Sequence, residues 1–223
     1  MNGEHHQQPF LETARHEEPS PALRSRTSAG AEPKGARQPA RHLPGEEGTW
    51  IFILGDMTVF ALLFGVYIDA RSKDPALFTQ SQAALHQAYG AINTLLLLSS
   101  SLMVVMAIRA IRGGVRDIAP YLFVGAIVCG LGFSLMKFFE WSDKLSDGIN
   151  PATNDFWMYY YILTGLHFFH LILGMGVLTF CWVQSRKPSL DARQFAFVEG
   201  GACFWHMVDL LWIVLFPLLY LVK

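Results

Sequence analysis

The chain is 223 residues long, 52% hydrophobic and 16% charged, with a mean hydropathy of +0.30, an apolar content above that of an ordinary soluble domain. Its net charge of −1 hides an uneven distribution: residues 1–48 carry six Lys or Arg and seven Asp or Glu, while long stretches further on carry almost none. No nucleic-acid partner is expected, and Cys129, Cys181 and Cys203 lie inside apolar segments without CxxC spacing, which argues against a disulfide framework or a zinc site.

Residues 1–47 hold six prolines among charged and small residues, too little apolar surface to offset the entropy of ordering. A disordered tail is therefore expected over 1–48. No apolar signal segment opens the sequence, so the first membrane helix is expected to serve as its own insertion signal. Five segments then reach the ~20 apolar residues a bilayer crossing needs: about 49–69, 89–111, 118–141, 156–183 and 199–222. They are too long for barrel strands, and an open sheet would strand its backbone groups in hydrocarbon. The expected fold is all-α, an integral membrane bundle of five transmembrane helices over 49–223. Gly55, Gly65, Ala126, Gly130, Gly165, Gly174 and Gly176 are expected to let helices approach closely.

Twelve of the seventeen Lys and Arg residues fall on one side of this topology: six in the tail, then Arg109, Arg112, Arg116, Arg186, Lys187 and Arg193. Arg71, Lys73, Lys137, Lys144 and Lys223 fall on the other. Basic residues collect on the cytoplasmic side, so the amino terminus is expected in the cytoplasm and the carboxyl terminus in the periplasm of a bacterial inner membrane.

Ionisable groups inside a membrane are costly and mark function or packing. Here they are Asp56, Lys137, Glu140, His167, His170, Glu199, His206 and Asp209. At 1.5 Å per residue, Asp56 and His206 lie roughly 10 Å in from the basic side, with His170 at a comparable level. His167 and His170, three apart, are expected on a common face. A polar cluster of Asp56, His167, His170, His206 and Asp209 is the leading candidate site, with Glu140 and Glu199 secondary. It could hold the helices together, handle protons or meet lipid; a haem or metal site built on the three histidines is the alternative from another class. Lys137 is expected to snorkel to the interface. The aromatic residues Trp157, Tyr159, Tyr160, Tyr161, Trp212 and Tyr220 are expected mostly as an interface belt or lipid-facing packing.

Three stretches carry a resemblance. GTWIFILGDMTVF at 48–60 looks like the pattern G-x-W-x-F-L-x-S-E-x-x-x-F, TGLHFFHLILG at 164–174 like T-G-x-H-x-x-H-x-x-x-G, and FWHMVDLLW at 204–212 like Y-W-H-F-V-D-x-x-W. Together they resemble subunit III of the haem–copper oxidases over about 175 residues in the family's order. The five helices correspond to the family's short form, as in quinol oxidases and the subunit-III-like protein associated with nitric oxide reductases. Asp56 stands where the family usually has a membrane-buried Glu linked to sustained proton uptake, a difference that leans toward the nitric-oxide-reductase branch.

The resemblance implies an accessory subunit with no catalytic residue, metal or cofactor of its own. Haem and copper are then expected in a partner subunit I, beside a subunit II, in an oxidase or nitric oxide reductase complex. A bound phospholipid is expected, and the electron donor and terminal acceptor belong to the partners.

Overall fold

The computed structural model describes residues 47–222, and among them every regular element is helical. The elements are α1 (Glu47–Lys73), α2 (Pro75–Ala83), α3 (Gln87–Arg112), α4 (Ala119–Ser146), α5 (Asp155–Ser185) and α6 (Ala192–Phe216), with a short 3₁₀ turn at Arg116–Ile118 and a π turn at Pro217–Leu221. Five of these stretches are long and apolar enough to cross a membrane, all but α2. The tail expected over 1–48 lies, up to residue 46, outside the described residues; Glu47 and Gly48 already belong to α1.

Most helix ends run past the expected limits. The largest difference is at α6, which starts at Ala192 rather than near 199. Asp191 and Gln194 form a reciprocal capping box there, so the chain turns helical before it becomes apolar. α2 was not expected. Asp74 accepts a hydrogen bond from the Leu77 amide at 3.1 Å with Pro75 in the first turn, a strong helix start. Phe78 of α2 then buries against Tyr67 and Phe156.

Short connections make the five spans alternate in direction. The turns after α3 and α4 close in the same way: Val115 N–H reaches the Ala110 carbonyl and Ile149 N–H that of Lys144, with Gly114 and Gly148 at φ of 78° and 81°. This is the left-handed conformation that such a helix ending requires. α6 is the centre of the bundle, with 56% of its apolar window buried against 17% for α1, which leans on the outside.

Two tryptophans of α6 fasten it to α3. Trp205 Nε1 donates to Ser100 Oγ at 3.1 Å, whose own hydroxyl donates to the Ala126 carbonyl of α4 at 3.0 Å. Trp212 Nε1 donates to Thr94 Oγ1 at 3.1 Å. Small residues allow the approach at two of the expected places. A Cβ on Gly174 would sit 2.7 Å from the Trp205 ring, and one on Gly130 2.5 Å from Met175 Sδ. Gly55, Gly65 and Gly176 instead face open space, and at Gly165 the nearest neighbour would be 4.0 Å away; these four are not close-approach points within the chain.

Candidate functional site: three polar centres between helices

The expected single cluster resolves into separate centres, each bridging different helices. The first joins α1 to α5. Asp56 Oδ1 lies 3.0 Å from His170 Nε2, with both side chains largely withdrawn from the surface. His170 Nδ1 lies 2.8 Å from the Leu166 carbonyl. A carbonyl only accepts, so Nδ1 carries hydrogen and Nε2 is the atom that faces the carboxyl group. A carboxyl group of α1 and an imidazole nitrogen of α5 thus meet within hydrogen-bonding distance inside the bundle. Phe60 and Phe169 fix the imidazole edge-on at 5.5 and 5.6 Å between ring centres.

His167 does not share this centre. Residues three apart on a helix differ by about 60° in direction, and α5 has neighbours on both sides, so the two histidines diverge. His167 packs between Phe133 and Trp212 at 5.7 and 5.3 Å, fully buried, with neither ring nitrogen hydrogen-bonded.

The second centre surrounds Lys137, and it corrects the snorkelling expectation. Lys137 is 1% exposed. Its Nζ donates to Glu140 Oε2 at 3.0 Å, Tyr160 OH at 3.1 Å and Tyr220 OH at 2.9 Å, and Tyr220 donates to Glu140 Oε1. The same ammonium lies 4.9–5.5 Å from the ring centres of Tyr160, Trp212 and Tyr220. Trp157, Tyr160, Trp212 and Tyr220 are therefore buried, not belt residues. A lysine within an apolar span was the sequence signal for this centre, and proximity to the helix end masked it.

The third centre follows the seam between α3 and α6. Glu199, Cys203, His206 and Asp209 recur at three- and four-residue spacing along α6. Arg112 of α3 donates to Glu199 Oε1 from Nε and Nη2 at 3.0 and 2.6 Å. Deeper in, His206 Nδ1 and Ser101 Oγ lie 2.6 Å apart. Between these two contacts a cavity of about 210 Å³ opens, lined in part by Arg109, Cys203 and His206. Asp209 is buried, with its Oδ1 lacking a hydrogen-bond partner. Arg112 entered the sequence reading only as a marker of orientation and Ser101 not at all, because a basic residue in a last turn and a serine in a span are common.

His170, His167 and His206 thus address α1, the α4–α6 core and α3 respectively, and among the described residues no three His, Cys, Asp or Glu side chains converge to hold a metal ion.

A five-span helical bundle with ionisable groups paired between its helices defines a polytopic membrane protein, and the three sequence patterns lie on α1, α5 and α6, which take part in those pairings. Residues 34–223 match the family model described as cytochrome c oxidase subunit III. The chain belongs to that family, and with it to the haem–copper oxidase subunits III. It is 31% identical over 175 residues to "Cytochrome c oxidase subunit 3" of Synechocystis sp., covering 78% of this chain and 74% of that protein. It is 24% identical over 175 residues to "Probable quinol oxidase subunit 3" of Staphylococcus aureus, covering 78% and 87%. It is also 27% identical over 179 residues to "Heme-copper oxidase subunit I+III" of Aeropyrum pernix, where the match covers 78% of this chain and spans only 22% of the relative's length.

Proposed function

We propose that this chain is the non-redox accessory subunit of a haem–copper complex, and that its Asp56–His170 pair keeps proton uptake by the catalytic subunit going over many turnovers. Haem and copper reside in the partner subunit I. This chain stabilises that subunit, meets lipid, and sits in a bacterial inner membrane with the Arg112 end of the bundle cytoplasmic. The observation that carries the reading is the 3.0 Å contact between Asp56 and His170. A carboxyl group and an imidazole within hydrogen-bonding distance inside a span can pass a proton between them, which neutral amides making the same packing contact could not.

The test is Asp56→Asn in the intact complex. The Asn amide still donates to His170 Nε2, so helix contact is retained, but it cannot take up or release a proton. Assembly is expected to persist while turnover declines faster over successive cycles. Decay curves that coincide with wild type at neutral and alkaline pH leave the pair as a helix fastener.

A second reading concerns the acceptor. Asp in place of the family's Glu shortens the side chain by one methylene, and this departure favours a nitric-oxide-reductase-associated assembly over an oxygen-reducing one. Identifying the large subunit that co-purifies with this chain decides between them.

A further inference from the structure

The seam between α3 and α6 carries a repeat on both of its sides. On α3, Leu98, Leu102, Val105, Arg109 and Arg112 follow one another at spacings of four and three, and on α6 Glu199, Cys203, His206, Leu210 and Ile213 do the same. Such a repeat keeps one stripe of each helix turned in a constant direction, as along the seam of a coiled coil. The two helices run antiparallel, so the polar ends of both stripes lie together at the Arg112–Glu199 contact and the apolar ends lie together deeper in the span. At that apolar end Leu98, Leu102, Leu210 and Ile213 are exposed.

Hydrocarbon does not suit the polar end. His206 lies about two turns further along α6 than Glu199, and both it and Cys203 are only half-buried. Its Nδ1 is engaged by Ser101, and the residue lines the cavity of about 210 Å³ described above. Arg112 and Glu199 offset one another in the lining. Arg109 lines the same cavity without an ion pair among the described residues, so it is the excess positive charge of this lining; Asp209 is buried deeper and does not line it. An acyl chain offers neither Arg109 nor His206 a partner. A carboxylate does: it pairs with Arg109 and, in the tautomer where Ser101 donates to Nδ1, also accepts a hydrogen bond from Nε2 of His206.

We infer that this groove receives a transmembrane helix of a partner subunit, apolar where it lies on Leu98, Leu102, Leu210 and Ile213, with a carboxylate that enters the cavity between Arg109 and His206. The inference rests on the reading of this chain as one subunit of a complex, and adds the face and the side-chain chemistry that hold it there.

Because Arg109 has no ion pair to lose within the described chain, its variants probe the partner rather than the fold. Each variant is co-expressed with wild type, the complex is captured through a tag on its large subunit, and mass spectrometry reads the ratio of variant to wild-type chain. Arg109→Glu is expected to be under-represented by about thirtyfold or more, as for the loss of one member of an interfacial charge pair. Arg109→Lys keeps the charge and is expected to lose less. Lys187→Glu makes the same change of charge at the same end but outside the groove, and is expected to incorporate like wild type. In native membranes, p-benzoylphenylalanine placed at Leu102 is expected to cross-link to a membrane span of another subunit that carries Asp or Glu within about two turns of the linked residue. Equal incorporation of Arg109→Glu and Lys187→Glu overturns the inference, and so does a cross-link from Leu102 only to phospholipid or to a second copy of this chain. Either result leaves the subunit role standing so long as wild type is captured with the large subunit; wild type missing from the captured complex removes both.

Discussion

At Lys137 the ammonium has exchanged water for one carboxylate oxygen, two phenolic oxygens and the faces of three aromatic rings. Removing one member of a buried ion pair strands the other, which typically costs about 3–5 kcal/mol, whereas removing both can be almost neutral. Lys137→Met is therefore expected to destabilise the purified chain by about that amount, and K137M/E140L by much less. Unfolding titrations in detergent read the difference, and equal losses in the two variants would show that the pair is not the source. The sequence exposed the ionisable residues themselves, since Asp56, His170 and Glu199 stand out in apolar spans. It grouped Asp56 with His170 by depth, but it did not expose the tyrosines around Lys137 or the arginine that meets Glu199. Tyr160 and Tyr220 lie 23 and 83 positions from Lys137, and no local periodicity encodes that meeting. His167 and His170 show the same limit, because spacing gave them a face and only the neighbouring helices decided which way each turned.

Helices were legible as elements because hydrocarbon leaves the backbone no alternative over twenty apolar residues. Their ends were less so, being set by polar caps outside the apolar window, as at Asp191 and Asp74. Which glycine faces a neighbour was not legible, since a lipid-facing and a helix-facing glycine read alike. Gly174 and Gly176 make the contrast measurable within a single turn of α5. Gly174→Leu drives a side chain into Trp205, and overpacking of this kind costs about 1–3 kcal/mol. Gly176→Ala enters open space and is expected to be neutral or to stabilise by up to about 1 kcal/mol through helix propensity. Thermal midpoints of the two purified variants should therefore move in different directions or differ clearly in size. Equal drops would mean that α5 and α6 do not meet as described.

The bundle as a whole is asymmetric, with α6 at its centre and α1 at its margin. Its orientation rests on the distribution of basic residues, and reporter fusions after Arg112 and after Lys144 are expected to score cytoplasmic and exported respectively; the reverse pattern would invert the topology. The end of α6 adds a further constraint. Side chains of other helices reach the carbonyls that follow it: Tyr67 of α1 donates to Leu218 at 3.4 Å, Arg71 of α1 to Val222 at 2.7 Å, and Gln87 of α3 to Tyr220 at 3.1 Å. Tyr220 in the same turn completes the Lys137 centre. The segment that all these groups require leaves the ribosome after the other four spans. Those spans must consequently wait in the bilayer with Lys137 and Glu140 incompletely partnered, and the bundle closes only after translation has delivered Pro217–Leu221. A released chain truncated after Leu210 is thus expected to be inserted but open to protease and to alkylation of Cys181, a thiol buried in the finished fold. Release of the full-length chain should close both windows, so the timing of maturation is governed by the order of synthesis as well as by the strength of the contacts.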